Sequence, residues 1–207
     1  MKLFILDNYD SFTYNLVEYF YRAGENCQLP MQITVQRNDA PNLIAAITSN
    51  TGNLKQFDAI VLSPGPGLPH QAGCLLPLIK QLSGKKPILG VCLGHQAIIE
   101  VYGGKLLNLS IPIHGQATPL AIAMPVEAAL FNGIPTHTPV GRYHSWVAHP
   151  QHFPNVLQPT AFDADTQHIM AFKHKTLPVW GVQFHPESVL TPLGLTMLQN
   201  WLQYLFK

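Results

Sequence analysis

Cys92 stands in Gly90-Val91-Cys92-Leu93-Gly94, where the apolar run Pro87–Val91 meets a helix-like segment, His95–Tyr102. A cysteine at such a strand-to-helix elbow is equipped as a nucleophile. The flanking glycines allow a tight, strained turn that lifts the sulfur clear of the sheet. The helix N-terminus favours the thiolate, and the Leu93 N–H is placed to donate to an oxyanion. The same five residues also fit a buried cysteine in a glycine-rich turn, so the pentapeptide alone leaves both readings open.

A thiolate that attacks an amide needs an acid and a base beside it. Ten histidines are available, and His185 is the best placed of them. It closes the run Val179–Phe184, and Pro186 stops the sheet from continuing. Glu187, two residues on, can accept the second imidazole N–H, which fixes the tautomer and supports the imidazolium. Taken alone, His185 is more simply a structural histidine beside a turn. The third element is Ser63-Pro64-Gly65-Pro66-Gly67, after the apolar run Asp58–Leu62. Its glycines let backbone N–H groups approach a substrate, with Gly65 as a second oxyanion donor opposite Leu93. In isolation it is an ordinary Pro-Gly turn, and it lacks the Gly-Lys-Ser/Thr ending of a phosphate-binding P-loop.

These residues need a scaffold that brings strand ends together. Lys2–Leu6, Gln32–Gln36, Asp58–Leu62 and Pro87–Val91 read as strands. Helical segments alternate with them: from a Ser11 cap to about Ala23, with Leu16, Tyr19 and Phe20 on one face and Gly24 ending it; then Leu43–Thr48, Cys74–Leu82 and His95–Tyr102. Continuously apolar strands alternating with helices predict a parallel, doubly wound, flavodoxin-like α/β sheet, whose carboxyl edge would unite Cys92 with His185. After residue 105 short strands follow one another: Lys105–Leu109, Leu120–Met124, Arg142–Ala148, Val156–Phe162, Ile169–Lys173 and Val179–Phe184. They predict an antiparallel extension of the same sheet, before a last helix near Leu193–Leu205. No linker or repeat divides the chain, so residues 1–207 are expected to form one domain.

Composition narrows the function classes. Net charge is +1 and only 11% of residues are charged, which offers neither a basic nucleic-acid surface nor an acidic tail. With 47% apolar residues and so few charges, some apolar surface is expected to be covered by another subunit. Cys27, Cys74 and Cys92 are odd in number and widely spaced, against a disulfide framework or structural zinc site, and they suit a reducing, cytoplasmic compartment. The start MKLFILD is too briefly apolar for a signal peptide, and no run reaches the ~18 apolar residues of a membrane helix.

Jointly, the motifs GVCLGHQ, SPGPG and GVQFHPES resemble those of class I glutamine amidotransferases. The N-terminal DNYDSFTYNL, with His114-Gly115-Gln116, Arg142–Trp146 and Glu187–Pro192, is most similar to the glutaminase components of chorismate-using synthases. The anthranilate synthase branch is nearest, and the aminodeoxychorismate synthase branch is its close sister. The resemblance spans essentially the whole chain. It implies a Cys92–His185–Glu187 triad. It also implies glutamine recognition by Gly65, Pro66 and Gly67, by Leu93 and Gln96, and by Ser145 and Trp146. It further implies ammonia delivery to a synthase subunit, no cofactor or metal in this subunit, and Mg²⁺ in the partner. One departure concerns the partner-facing element: relatives carry HGK and a small hydroxyl residue where this chain has Gln116-Ala117.

Other readings compete. A phospho-acceptor receiver shares the fold and has acidic residues where Asp7 and Asp10 stand, but it needs an Asp after the third strand, and Ser63 is there instead. A stand-alone cysteine amidase would carry the same elbow and differ in its products. A non-catalytic regulatory subunit would have no need of an intact Cys92, His185 and Glu187. A metal site from His144, His149 and His152 suffers from loose spacing in a proline-rich stretch.

Overall fold

A computed structural model describes residues 1–48, 56–123 and 129–206. The described residues form one nine-stranded sheet with helices on both faces. The first half alternates: β1 (Lys2–Asp7), α1 (Thr13–Asn26), β2 (Gln32–Arg37), α2 (Pro41–Thr48), β3 (Ala59–Leu62), α3 (Leu75–Leu82), β4 (Ile88–Val91) and α4 (Leu93–Val101). The second half runs β5 (Leu106–Ile122), β6 (Pro139–Ala148), β7 (Leu157–Asp163), β8 (Ile169–His174), β9 (Val179–Val182) and α5 (Gly194–Leu205). The sheet order is β2-β1-β3-β4-β9-β8-β7-β5-β6.

Strands β2, β1, β3, β4 and β9 are parallel. Of these, β1, β3, β4 and β9 have the continuous apolar character of strands buried on both faces, and β2 is the part-exposed edge. Alternate β1 side chains serve opposite cores. Leu3 and Ile5 pack with Leu16 and Phe20 of α1 and with Trp201 and Leu202 of α5. Phe4 and Leu6 pack with Leu75 and Leu78 of α3 and Ala97 and Ile98 of α4. Each fully buried Leu, Ile or Phe contributes about 1.5–3 kcal/mol, so the two layers clamp the carboxyl edge where the motifs lie.

Several local expectations are corrected. Strand β9 is not part of the antiparallel extension alone: it pairs in parallel with β4, Gly90 opposite Gly181, and antiparallel with β8. It is the hinge between the two halves, and it puts Cys92 next to the segment leading to His185. Ser11 does not cap α1. The Asp10 carboxylate accepts the Phe12 N–H at 2.8 Å, and the Thr13 hydroxyl donates to Asp7 at 2.9 Å. Gly24 does not end that helix either. The Leu29 N–H reaches the Gly24 carbonyl and the Gln28 N–H reaches that of Glu25, a Schellman closure in which Gln28 takes the left-handed position at φ 57°. Gly24 is needed because Met31 packs where a Cβ would stand.

The segments Lys105–Leu109 and Leu120–Met124 are not separate strands. They belong to the 17-residue β5, which contains His114-Gly115-Gln116 and is interrupted by two register shifts, with Gly115 at φ 66°. Pro112 and Pro119 made the stretch read as broken, yet bulges let a strand pass such residues. Met124 lies outside the described residues. No described helix is long and apolar enough to cross a membrane.

Candidate active site

Cys92 follows β4 without a spacer and is the N-cap of α4. Its N–H continues the ladder to the Val182 carbonyl at 2.8 Å, while its own carbonyl accepts the first helical bond from Gln96 at 3.1 Å. One residue therefore ends a strand and starts a helix. The backbone strain falls on the cysteine itself, at φ 50° and ψ −98°, a conformation that costs a non-glycine residue roughly 1–3 kcal/mol. The flanking glycines provide close approach. A Cβ on Gly90 would lie 2.5 Å from the Gly94 backbone, and one on Gly94 would lie 2.5 Å from the Leu62 carbonyl oxygen.

The loop after β3 comes in from the other side. A Cβ on Gly65 would fall 2.7 Å from Leu93 Cδ2 and 2.6 Å from Asn8 Cβ. Asn8 fastens this loop: its N–H donates to the Ser63 hydroxyl at 2.8 Å and its amide to the Ser63 carbonyl at 2.9 Å. The Leu93 side chain is buried in the apolar cluster beneath α4, so what Leu93 can offer a substrate is its N–H, at a helix position with no acceptor of its own.

His185 and Glu187 are both 2% exposed. His185 Nδ1 and Glu187 Oε1 are 2.8 Å apart, and an ionised carboxylate can only accept, so Nδ1 donates. The His185 backbone is fixed by its N–H on the Gly141 carbonyl at 3.0 Å and by the Thr191 hydroxyl on its carbonyl at 2.6 Å. Phe12 and Tyr143 flank the ring at 5.3 and 5.0 Å. Burial opposes a charge on His185, but the Cys92 sulfur and the Glu187 carboxylate outweigh it and hold the imidazolium well above the usual histidine range.

A cleft of about 220 Å³ opens onto Cys92, lined among others by Gly65, Pro66, Gly67, Gln96, Ser145 and Trp146. That is smaller than the ~300–1,000 Å³ usual for drug-sized ligands and suits a single small molecule. His185 and Glu187 are not among the residues that line this cleft.

Two further residues belong to the site: Gln183, which sequence reasoning did not single out, and His144, which it weighed only as a metal ligand. Gln183 is fully buried and donates from Nε2 toward Cys92 Sγ at 3.7 Å. An amide in the otherwise apolar strand end Gly181–Phe184 was the available signal. His144 lines the cleft and accepts at Nε2 from Arg142 Nε, 3.2 Å away. Burial, then the neighbouring Arg142 and His185 cations and the His95 ring, push it well below the usual range. The two histidines are thus driven apart, one cationic and one neutral, a pattern that separates roles at a site. Arg142 itself is buried against Asp163 at 2.8 Å. Among the described residues no three His, Cys, Asp or Glu gather as a metal site; His149 and His152 face each other alone, Nδ1 to Nδ1 at 3.2 Å.

Known proteins share this arrangement of sequence. Residues 4–204 match the family described as glutamine amidotransferase class-I. Anthranilate synthase component 2 of Pseudomonas aeruginosa is 42% identical, covering 97% of this chain and 94% of that protein. Aminodeoxychorismate synthase component 2 of Escherichia coli is 40% identical, covering 97% and 98%. Aminodeoxychorismate/anthranilate synthase component 2 of Bacillus subtilis is 38% identical, covering 97% and 95%. Among solved structures, a GMP synthase subunit from Thermoplasma acidophilum superposes with a TM-score of 0.77 at 24% identity, over 100% of this chain and 94% of its own; it shares the fold. Matched along nearly its whole length, with a cysteine elbow at the carboxyl edge of its sheet, this chain belongs to the class-I glutamine amidotransferases.

Proposed function

We propose that the chain hydrolyses L-glutamine as the glutaminase subunit of a chorismate-using synthase. The carrying observation is the sequence of contacts from Glu187 to His185 to Cys92 at the wall of a small cleft. The Cys92 thiolate attacks the side-chain carboxamide carbon and forms a C–S bond, while the Leu93 and Gly65 N–H groups receive the oxyanion. Collapse of this intermediate breaks the C–N bond, and His185 gives its proton to the departing ammonia. The now neutral His185 takes a proton from water, whose oxygen cleaves the γ-glutamyl thioester and frees glutamate. Gly65, Pro66, Gly67, Gln96, Ser145 and Trp146 hold the amino-acid end of the substrate in this reading.

Ammonia released into bulk water would be protonated and lost as a nucleophile, so a docked synthase is required. Relatives of nearly equal identity carry the anthranilate name, the aminodeoxychorismate name or both. Our reading is anthranilate, for tryptophan biosynthesis, with aminodeoxychorismate, for folate biosynthesis, as the alternative. The subunit needs no cofactor or metal by this reading; Mg²⁺ serves the synthase. The cysteines are free, which supports a cytoplasmic setting. The test mixes the chain with each type of chorismate-using synthase and identifies the product. Cys92→Ser should abolish synthesis from glutamine and spare synthesis from added ammonium. Near-native glutamine hydrolysis by Cys92→Ser would overturn the proposal.

A further inference from the structure

The amide of Gln183 is the end of a buried chain that begins at a backbone carbonyl. Gln96 Nε2 donates to the Trp146 carbonyl at 2.9 Å and to Gln183 Oε1 at 3.2 Å, and Gln183 Nε2 then donates toward Cys92 Sγ at 3.7 Å. A side-chain amide can in general be turned end for end, but here both orientations are dictated. The Trp146 carbonyl can only accept, so Gln96 must present its NH₂ to it. That same NH₂ faces Gln183, which must answer with oxygen. The only group left for the sulfur is an N–H donor. Turning either amide would set oxygen against oxygen, or NH₂ against NH₂, where burial leaves no water to relieve it.

We propose, resting on the nucleophile reading above, that Gln183 is a dedicated donor to the Cys92 thiolate and that Gln96 is a positioning residue that orients it. A donor stabilises the sulfur anion more than the neutral thiol. It approaches the sulfur from β9, the strand whose Val182 carbonyl already accepts the Cys92 N–H. It therefore restrains the rotamer of the side chain as well as its charge. The chain also joins recognition to chemistry. Both Nε2 hydrogens of Gln96 are committed inward, and Gln96 lines the cleft, so its carbonyl oxygen is the end available to the substrate's ammonium. A group that binds there bears on the first link of a chain whose last link is the nucleophile. The remaining titratable groups with which the sulfur shares this space are His185, with its partner Glu187, and His144, His114 and Tyr143 of the cleft.

Iodoacetamide alkylation of Cys92 tests this without glutamine or a partner, in a chain carrying Cys27→Ser and Cys74→Ala. The rate is measured against pH, because a change in access alters the plateau at high pH, whereas loss of a thiolate donor moves the whole profile along the pH axis. Gln183→Leu should move the profile up by about one pH unit. Gln183→Glu should move it at least as far, by setting a carboxylate against the sulfur. Gln96→Leu should move it in the same direction from a distance, and should add nothing in a Gln183→Leu background, while still raising KM for glutamine. Gln183→Met serves if the leucine variant does not fold. Profiles unmoved in folded Gln183→Glu and Gln183→Leu or Gln183→Met, or additive effects of Gln96 and Gln183, would overturn the proposal. Retained turnover in Cys92→Ser would instead sink the nucleophile reading and leave the alkylation result standing.

Discussion

Glu187 grips His185 at Nδ1 across 2.8 Å, from only two residues further along the same turn. The other carboxylate oxygen, Oε2, is buried without a hydrogen bond, so this contact is the carboxylate's main outlet. Nε2 of His185 makes no well-formed hydrogen bond either; the neighbouring Cys92 sulfur nonetheless favours its proton. His185→Ala should lower glutamine turnover by roughly 10²–10⁴-fold, through both thioester formation and its hydrolysis. Glu187→Gln should be milder, roughly tenfold to 10²-fold, because an amide still holds the ring but supports its charge less. Rapid-quench measurement of the thioester separates the two variants, and equal, complete loss in both would contradict a supporting role for Glu187.

The elbow glycines make a second prediction. Gly94→Ala places a methyl 2.5 Å from the Leu62 carbonyl oxygen, a rigid neighbour, and should destabilise the fold by about 1–3 kcal/mol or more. Gly103→Ala is the contrast. Gly103 has φ +87° and open space around it, so only backbone strain opposes the change, at about 1–2 kcal/mol. Urea unfolding should rank the two in that order, and only Gly94→Ala should also depress alkylation of Cys92.

Stability should fall on the acid side in two stages. Burial drives His95 down from 6.5 to about 3. A histidine kept neutral by the fold contributes stability in full above 6.5, and that stability is lost as pH falls toward about 3. Asp163 is pulled from 3.8 to about 2: burial opposes this, but the nearby Thr118 hydroxyl, the hydrogen bonds from Thr166 and the charge of Arg142 prevail. Its contribution is intact above 3.8 and is lost only below. The urea midpoint should therefore slope downward between pH 6.5 and 4, less steeply in His95→Leu. Asp163→Ala should leave that slope unchanged while costing about 3–5 kcal/mol throughout, because it strands the buried Arg142 guanidinium.

Coupling to the synthase is the fourth prediction. A freely firing glutaminase would waste its substrate, so the isolated chain should release glutamate slowly and the synthase should accelerate it, more so with chorismate bound. Both ligands bias one equilibrium, so glutamine should tighten synthase binding by the same factor by which the synthase tightens glutamine binding. Titration calorimetry with Cys92→Ser, which cannot turn over, measures both sides. A factor of one in both directions, or full activity in the isolated chain, would favour a stand-alone amidase.

The parallel half and its motifs were legible because two signals coincide there: apolar runs of strand length, and glycines where the backbone must come close. Cys92, His185 and the Gly65 loop all sit at strand ends, where local sequence reports position well. Gln183 and His144 were not legible in the same way. A lone polar residue just past a short strand, like Gln183, shows its purpose only when its partners Gln96 and Cys92 arrive from another element, and His144 of β6 shows its own only through burial beside Arg142 at the cleft. The continuous β5 was hidden for a related reason: its side chains are mostly exposed, so no apolar face marks it, and its two prolines mimic breaks. The close of α1 was misread because Gly24 is kept for helix–loop contact with Met31, and Gln28 tolerates the left-handed turn that a glycine would normally take.

Residues 106–118 of β5 pair with β6 alone; the Ala164 N–H reaches the Pro119 carbonyl, and β7 joins from Leu120. The cleft therefore has jaws of unequal stiffness. Cys92 and Gln96 belong to the double-layered sheet, and the Gln96 amide ties Trp146 of β6 to it, whereas Ile113 and His114 ride on the largely exposed β5 at its rim. Amide protons of Ile88–Val91 should exchange with deuterium only through global opening, and those of His114–Ala117 through local fraying. Fluctuations in the width of the cleft then come almost wholly from one side. A molecule that bridges the jaws slows exchange in β5 and leaves the elbow, already immobile, unchanged.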